Sequence, residues 1–74
     1  DAALNRALTA WIDQRVTGPE EALPEYDLLL AQVEKQMLAS LLERFEDKPT
    51  RLATALNMNR ATLRRKLREL LGRD

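Results

Sequence analysis

The stretch that decides the fold is residues 50–67, TRLATALNMNRATLRRKL. Leu52, Ala53 and Leu56 fall on one face at helical spacing. Pro49 suits a first helical turn, where the missing N–H would go unbonded in any case. The spacing predicts a short helix over 49–56, with Ala53 small enough for another helix to approach. A turn is predicted at Asn57-Met58, since Asn accepts the left-handed conformation better than any residue except Gly. Asn59 is the predicted N-cap of a second helix over 60–71, which Gly72 ends. Leu63, Leu67 and Leu70 or Leu71 face inward, while Arg60, Arg64 and Arg68 recur at four-residue spacing on the other side.

Two short helices joined by a tight turn, the second basic and exposed, form a helix-turn-helix pattern. An α-helix fits the DNA major groove, and side chains near its N-terminus reach base edges. Arg can bond guanine bidentately, and Thr can hydrogen-bond or touch the thymine methyl. Arg60 and Thr62 are therefore candidates for base contact, and Arg64 and Arg65 for base or phosphate contact. Asn59, Lys48, Thr50, Arg51 and Lys66 are candidates for the phosphate backbone. Arg68 and Arg73 act through the long-range field. A plainer reading stands beside each. Arg residues on a terminal helix are also what a solvated face and a helix C-terminus favour. Asn59 serves equally as a purely structural cap, and Thr50 as a cap or packing residue.

Working outward, a long helix is predicted over 24–46. Pro24 fits its first turn, and Glu25 and Asp27 suit the positive end of its dipole. Leu30, Val33, Met37 and Leu41 lie along one line of it, and Leu38, Leu42 and Phe45 along a neighbouring one. A helix apolar over so wide an arc needs cover from more than one side. The second cover is expected to be another copy of the chain, the alternative being a wide core face in a monomer. Before this, Leu4, Ala7, Leu8, Trp11 and Ile12 make one apolar stripe on a predicted helix over 2–16. Thr17-Gly18-Pro19 stops that helix, and residues 18–23 form an acidic linker. Trp11 and Tyr26 read as packing residues rather than base-stacking platforms. No period-two alternation appears, so the expected fold is all-α: two dimerisation helices (1–46) followed by a helix-turn-helix (47–74).

The size of the chain supports a dimer. At 74 residues it is one domain, and a domain so small buries only about 60% of its extended surface on folding. Small scaffolds need a disulfide, a metal or a partner. With no Cys and no His, disulfides and ordinary zinc sites are excluded, which leaves association. The expected dimer interface comprises Leu8, Trp11, Ile12, Leu30, Val33, Met37, Leu38 and Leu41.

Net charge is zero, from twelve basic and twelve acidic residues. The distribution is uneven: residues 1–43 hold three basic against eight acidic residues, and 44–74 hold nine against four. The halves therefore carry −5 and +5, as in a chain with one nucleic-acid-binding end. No apolar run approaches the roughly 20 residues that span a bilayer, so no membrane association is expected. Cys-free composition is consistent with a reducing cytoplasm, and the expected location is cytoplasmic, at the nucleoid. No nucleophile with its base, phosphate-cradling loop or metal cluster is visible, and Glu20-Glu21 and Glu46-Asp47 read as linker and helix-end charges. No enzyme activity, cofactor or small-molecule ligand is expected. A chain beginning at Asp1 is expected to be a piece of a longer protein, or a processed one.

Residues 50–67 resemble the Fis family of helix-turn-helix proteins. The resemblance rests on the Thr50-Arg51 start, the small residues of the first helix, and Asn59-Arg60-Ala61-Thr62-Leu63-Arg64-Arg65-Lys66-Leu67. More loosely, the whole chain resembles the C-terminal domain of NtrC-type response regulators. It shares a Trp-bearing first helix, a Leu-rich second helix and an Arg-x-x-Leu-Arg-x-Leu ending. The resemblance implies an intertwined dimer with a four-helix core, roughly palindromic sites, and a domain following receiver and ATPase domains at sigma-54 enhancer sites. It implies DNA contacts at Asn59, Arg60, Thr62, Arg64, Arg65 and Lys66, with Thr50 and Arg51. The chain departs from the family pattern at Asn57, where Gly is usual, and at Lys48-Pro49, which replaces a Pro-free helix start. A free-standing nucleoid protein and a helical dimerisation module without DNA binding are the alternatives.

Overall fold

The structure, a computed structural model, describes residues 1–15 and 25–73. Its four helices are α1 (Ala2–Arg15), α2 (Tyr26–Arg44), α3 (Pro49–Ala55) and α4 (Arg60–Leu71). Among the described residues there is no strand, so the expected all-α fold is observed. The expected stop at Thr17-Gly18-Pro19, the acidic linker over 18–23 and Pro24 itself lie outside the described residues, but Glu25, expected inside the second helix, is instead its extended N-cap (φ −63°, ψ 147°), so α2 starts at Tyr26.

Three of the helix ends have a clear local cause. The Asp1 carboxylate accepts from the backbone N–H groups of Ala3 (2.8 Å) and Leu4 (3.2 Å), capping α1. At the end of α2, Glu46 and Asp47 both turn left-handed, with φ of 56° and 59°. There the Asp47 N–H donates to the Leu42 carbonyl (2.9 Å) and the Glu46 N–H to that of Glu43 (3.1 Å). This paired pattern is a Schellman motif, and it ends α2 at Arg44 rather than at residue 46. A second one closes α3. Asn57 sits at φ 55°, its N–H donates to Thr54 (3.1 Å), and the Met58 N–H donates to Ala53 (2.9 Å). Asn57 is thus the left-handed corner that its residue type suggested.

The core is formed by Leu38 and Leu42 of α2, Leu52 and Ala53 of α3, and Leu63 and Leu67 of α4, with Leu41, Phe45, Met58, Leu70 and Leu71 packed at its edges. A seven-residue helix such as α3 is far too short to persist alone in water. Burial of Leu52 holds it, at roughly 1.5–3 kcal/mol for a fully covered leucine. Ala53, fully buried where α3 meets α4, has no bulk to hold the helices apart.

The two apolar lines of α2 have different fates. Leu38, Leu42 and Phe45 pack against α3 and α4. Leu30 (49% exposed) and Met37 (52%) stay open, while Val33 and Leu41 are half-buried. Leu38 therefore differs from the expectation that grouped it with the dimer-facing residues. At 1% exposure it is covered by its own chain, because it lies on the line that the helix-turn-helix occupies.

Helix α1 supplies nothing to this core. It has no buried residue, Leu4 and Ile12 are exposed, and only Leu8 and Trp11 are half-buried. Its apolar stripe borders an open groove whose other wall is Gln32, Val33, Gln36 and Met37 of α2. The Arg15 guanidinium lies 5.4 Å from the centroid of the Trp11 ring, a cation–π distance. No helix among the described residues is long and apolar enough to cross a membrane.

Candidate nucleic-acid interface

Helix α4 begins where Asn59 ends the turn. The Asn59 Oδ1 accepts from the N–H of Ala61 (2.7 Å) and of Thr62 (3.4 Å), while its backbone stays extended at φ −63°, ψ 135°. Both features define an N-cap. The oxygen is committed to the helix, which leaves the amide nitrogen as the part of Asn59 that can meet a ligand. At the far end Gly72 is left-handed at φ 69°, and its N–H donates to the Arg68 carbonyl at 3.1 Å. The helix is thus capped at both termini, with Leu63 and Leu67 buried between.

Arg60, Arg64 and Arg65 are exposed on this helix. Among the described residues none of the three makes an ion pair or a side-chain hydrogen bond. Asn59, Arg60, Ala61 and Arg64 line one shallow, open surface at the N-terminus of α4. The guanidiniums of Arg60 and Arg64 there, beside the partial positive charge of the helix end, attract an anion. Their planar donor forks match guanine edges and phosphates. Thr62 is half-buried one turn before Lys66.

The remaining candidates have different surroundings. Lys48 is the extended N-cap position of α3 but makes no side-chain cap bond, and its Nζ lies 4.0 Å from Glu46 Oε2. Thr50 and Arg51 are exposed in the first turn of α3. The carbonyl of Thr50 accepts from the Thr54 hydroxyl at 3.1 Å. Lys66 is set apart: its Nζ donates to Glu34 Oε2 of α2 at 2.9 Å. It is held there among half-buried groups rather than displayed with the arginines. Arg73, beyond α4, pairs with Asp47 at 2.9 Å.

Both of these pairs escaped sequence reasoning. Glu34 and Lys66 are 32 residues apart, and Asp47 and Arg73 26, so no local periodicity joins them. Among the described residues no group of three or more metal-ligating side chains comes together.

Comparison with known proteins places the same segment. The profile described as bacterial regulatory protein, Fis family, matches residues 29–70, from early α2 to the end of α4. The DNA-binding protein Fis of Vibrio cholerae is 38% identical over 50 residues, which cover 68% of this chain and 51% of that protein. The same figures hold for Fis of Vibrio vulnificus. Fis of Histophilus somni is 46% identical over 44 residues, 60% of this chain and 45% of that protein. The chain thus spans about half the length of the curated relatives it matches. No solved structure matches it.

Proposed function

Since the chain belongs to the Fis family of bacterial regulatory proteins, we propose that it binds double-stranded DNA through α4 and acts in transcription regulation. The observation that carries this reading is the display of Arg60 and Arg64 on the surface at the capped N-terminus of α4, with Arg65 exposed on the same helix, all three unpaired among the described residues and inside the segment that matches the family. In this reading α4 enters the major groove, with Arg60 and Thr62 at base edges and Arg64 and Arg65 at bases or phosphates. Lys48, Thr50, Arg51 and the Asn59 amide touch the backbone. Such work places the protein in the cytoplasm, at the nucleoid.

The protein acts as a homodimer. The exposed Leu30 and Met37, with half-buried Val33 and Leu41 on the same line of α2 and half-buried Leu8 and Trp11 beside exposed Ile12 on α1, support this, because a small domain gains from covering such apolar faces. A two-fold dimer presents two α4 helices to successive half-sites, so the preferred sites are pseudo-palindromic. The Leu-rich α2 and the Trp-bearing α1 favour a sigma-54 enhancer-binding regulator of the NtrC type. The Fis proteins among its relatives favour the second reading, a free-standing DNA-bending protein of the nucleoid.

Fluorescence-anisotropy titration on random and palindromic duplexes of equal length, at two salt concentrations, tests the reading. Tight binding to a subset of palindromes is expected, weakening by about a thousandfold or more from low to moderate salt if some 6–10 phosphates are engaged. Absence of binding at low salt would leave a helical dimerisation module with a solvated basic helix.

A further inference from the structure

Lys66 follows Arg65 in sequence and lies one helical turn beyond Thr62, with its ammonium on a flexible stem of four methylenes. Yet its ammonium is occupied: Nζ donates to Glu34 Oε2 at 2.9 Å, with side-chain exposures of 30% and 35%. Partial burial screens such a pair less than an exposed one. Among the described residues, the other ion pairs join more exposed side chains. Among the described residues the arginines of the same helix carry no such partner. One cation of the recognition helix is thus neutralised from α2 while its neighbours are left free.

We propose that Glu34 is a specificity-determining residue that withholds Lys66 from the DNA backbone. Each phosphate contact adds affinity for any sequence, so a withheld lysine lowers non-specific binding while leaving base readout by Arg60 and Thr62 intact. The ratio of specific to non-specific affinity rises accordingly. The inference rests on the DNA-binding reading above, and it assigns Lys66 a role opposite to that of its basic neighbours.

The test is the salt dependence of binding to a random duplex by the full chain and its variants. Each lysine recruited to B-DNA steepens the logarithmic salt slope by about 0.9, which is about threefold in affinity across a fourfold change of salt. Glu34→Gln is expected to tighten random-duplex binding at low salt and to steepen the slope by that amount per protomer. Lys66→Met alone is expected to leave the slope unchanged, and Glu34→Gln/Lys66→Met to return it to the wild-type value. The charge-swapped Glu34→Lys/Lys66→Glu, which keeps a pair between the same positions, guards against a Glu34→Gln that fails to fold. It is expected to keep the wild-type slope. A shallower slope in Lys66→Met, or an unchanged one in folded Glu34→Gln, overturns the proposal while the DNA-binding reading stands. A wild-type chain with no salt-dependent affinity for any duplex overturns both.

Discussion

Arg73 Nη1 donates to Asp47 Oδ1 at 2.9 Å, joining the residue that follows the Gly72 cap of α4 to the left-handed corner before α3. Both side chains are more than half exposed, where a single ion pair contributes at most about 1 kcal/mol. Arg73→Ala is therefore expected to shift the urea midpoint only slightly. A loss several times larger would show that the pair holds the corner.

The corner itself is the larger reservoir. Glu46 adopts a conformation that disfavours L-residues with a Cβ and suits Gly at this position of the motif. Glu46→Gly is expected to raise stability by about 0.5–1 kcal/mol, the left-handed strain relieved less the added chain entropy of Gly. Asp47→Val, a β-branched residue at φ 59°, is expected to destabilise. Urea melts of the two variants should move in opposite directions.

Asn59 separates capping from recognition. Asn59→Ala removes the acceptor for two N–H groups and is expected to cost about 0.5–2 kcal/mol of stability. Asn59→Asp keeps that acceptor but loses the amide nitrogen, so stability is expected to hold while DNA affinity falls. Equal affinity for wild type and Asn59→Asp would make Asn59 a structural cap alone.

Arg60→Ala is expected to cost roughly 1–3 kcal/mol on the preferred site and to relax its sequence preference. Competition titrations against random duplex decide the assignment. An equal loss on both DNAs would make Arg60 a phosphate contact.

Dimerisation is best probed at Met37, because Leu41 also packs against the chain's own core and its loss would confound folding with association. Met37 is 52% exposed, so Met37→Asp is expected to leave the monomer fold intact. Sedimentation should then show a monomer, with DNA affinity reduced. A dimer as tight as wild type would remove the α2 face from the interface.

The sequence by itself determined many features that depend on neighbours a few residues away, though not the left-handed turn at Glu46 and Asp47 that ends α2 at Arg44. Helical spacing located α3 and α4. The residue types at Asn57, Asn59 and Gly72 marked the turn and both ends of α4, because left-handed geometry and side-chain capping are local preferences. The wide apolar arc of α2 was legible as two lines, and the arginines of α4 were legible as a basic face. What only the tertiary structure decided was the use of those surfaces. It put Leu38 in the chain's own core and left Met37 and Leu30 open, since a helix pattern records which residues are apolar and not what covers them. It also gave Lys66 to Glu34 while leaving Arg60, Arg64 and Arg65 free. A charge's partner is chosen by distance in space, and α2 and α4 meet only once the chain has folded.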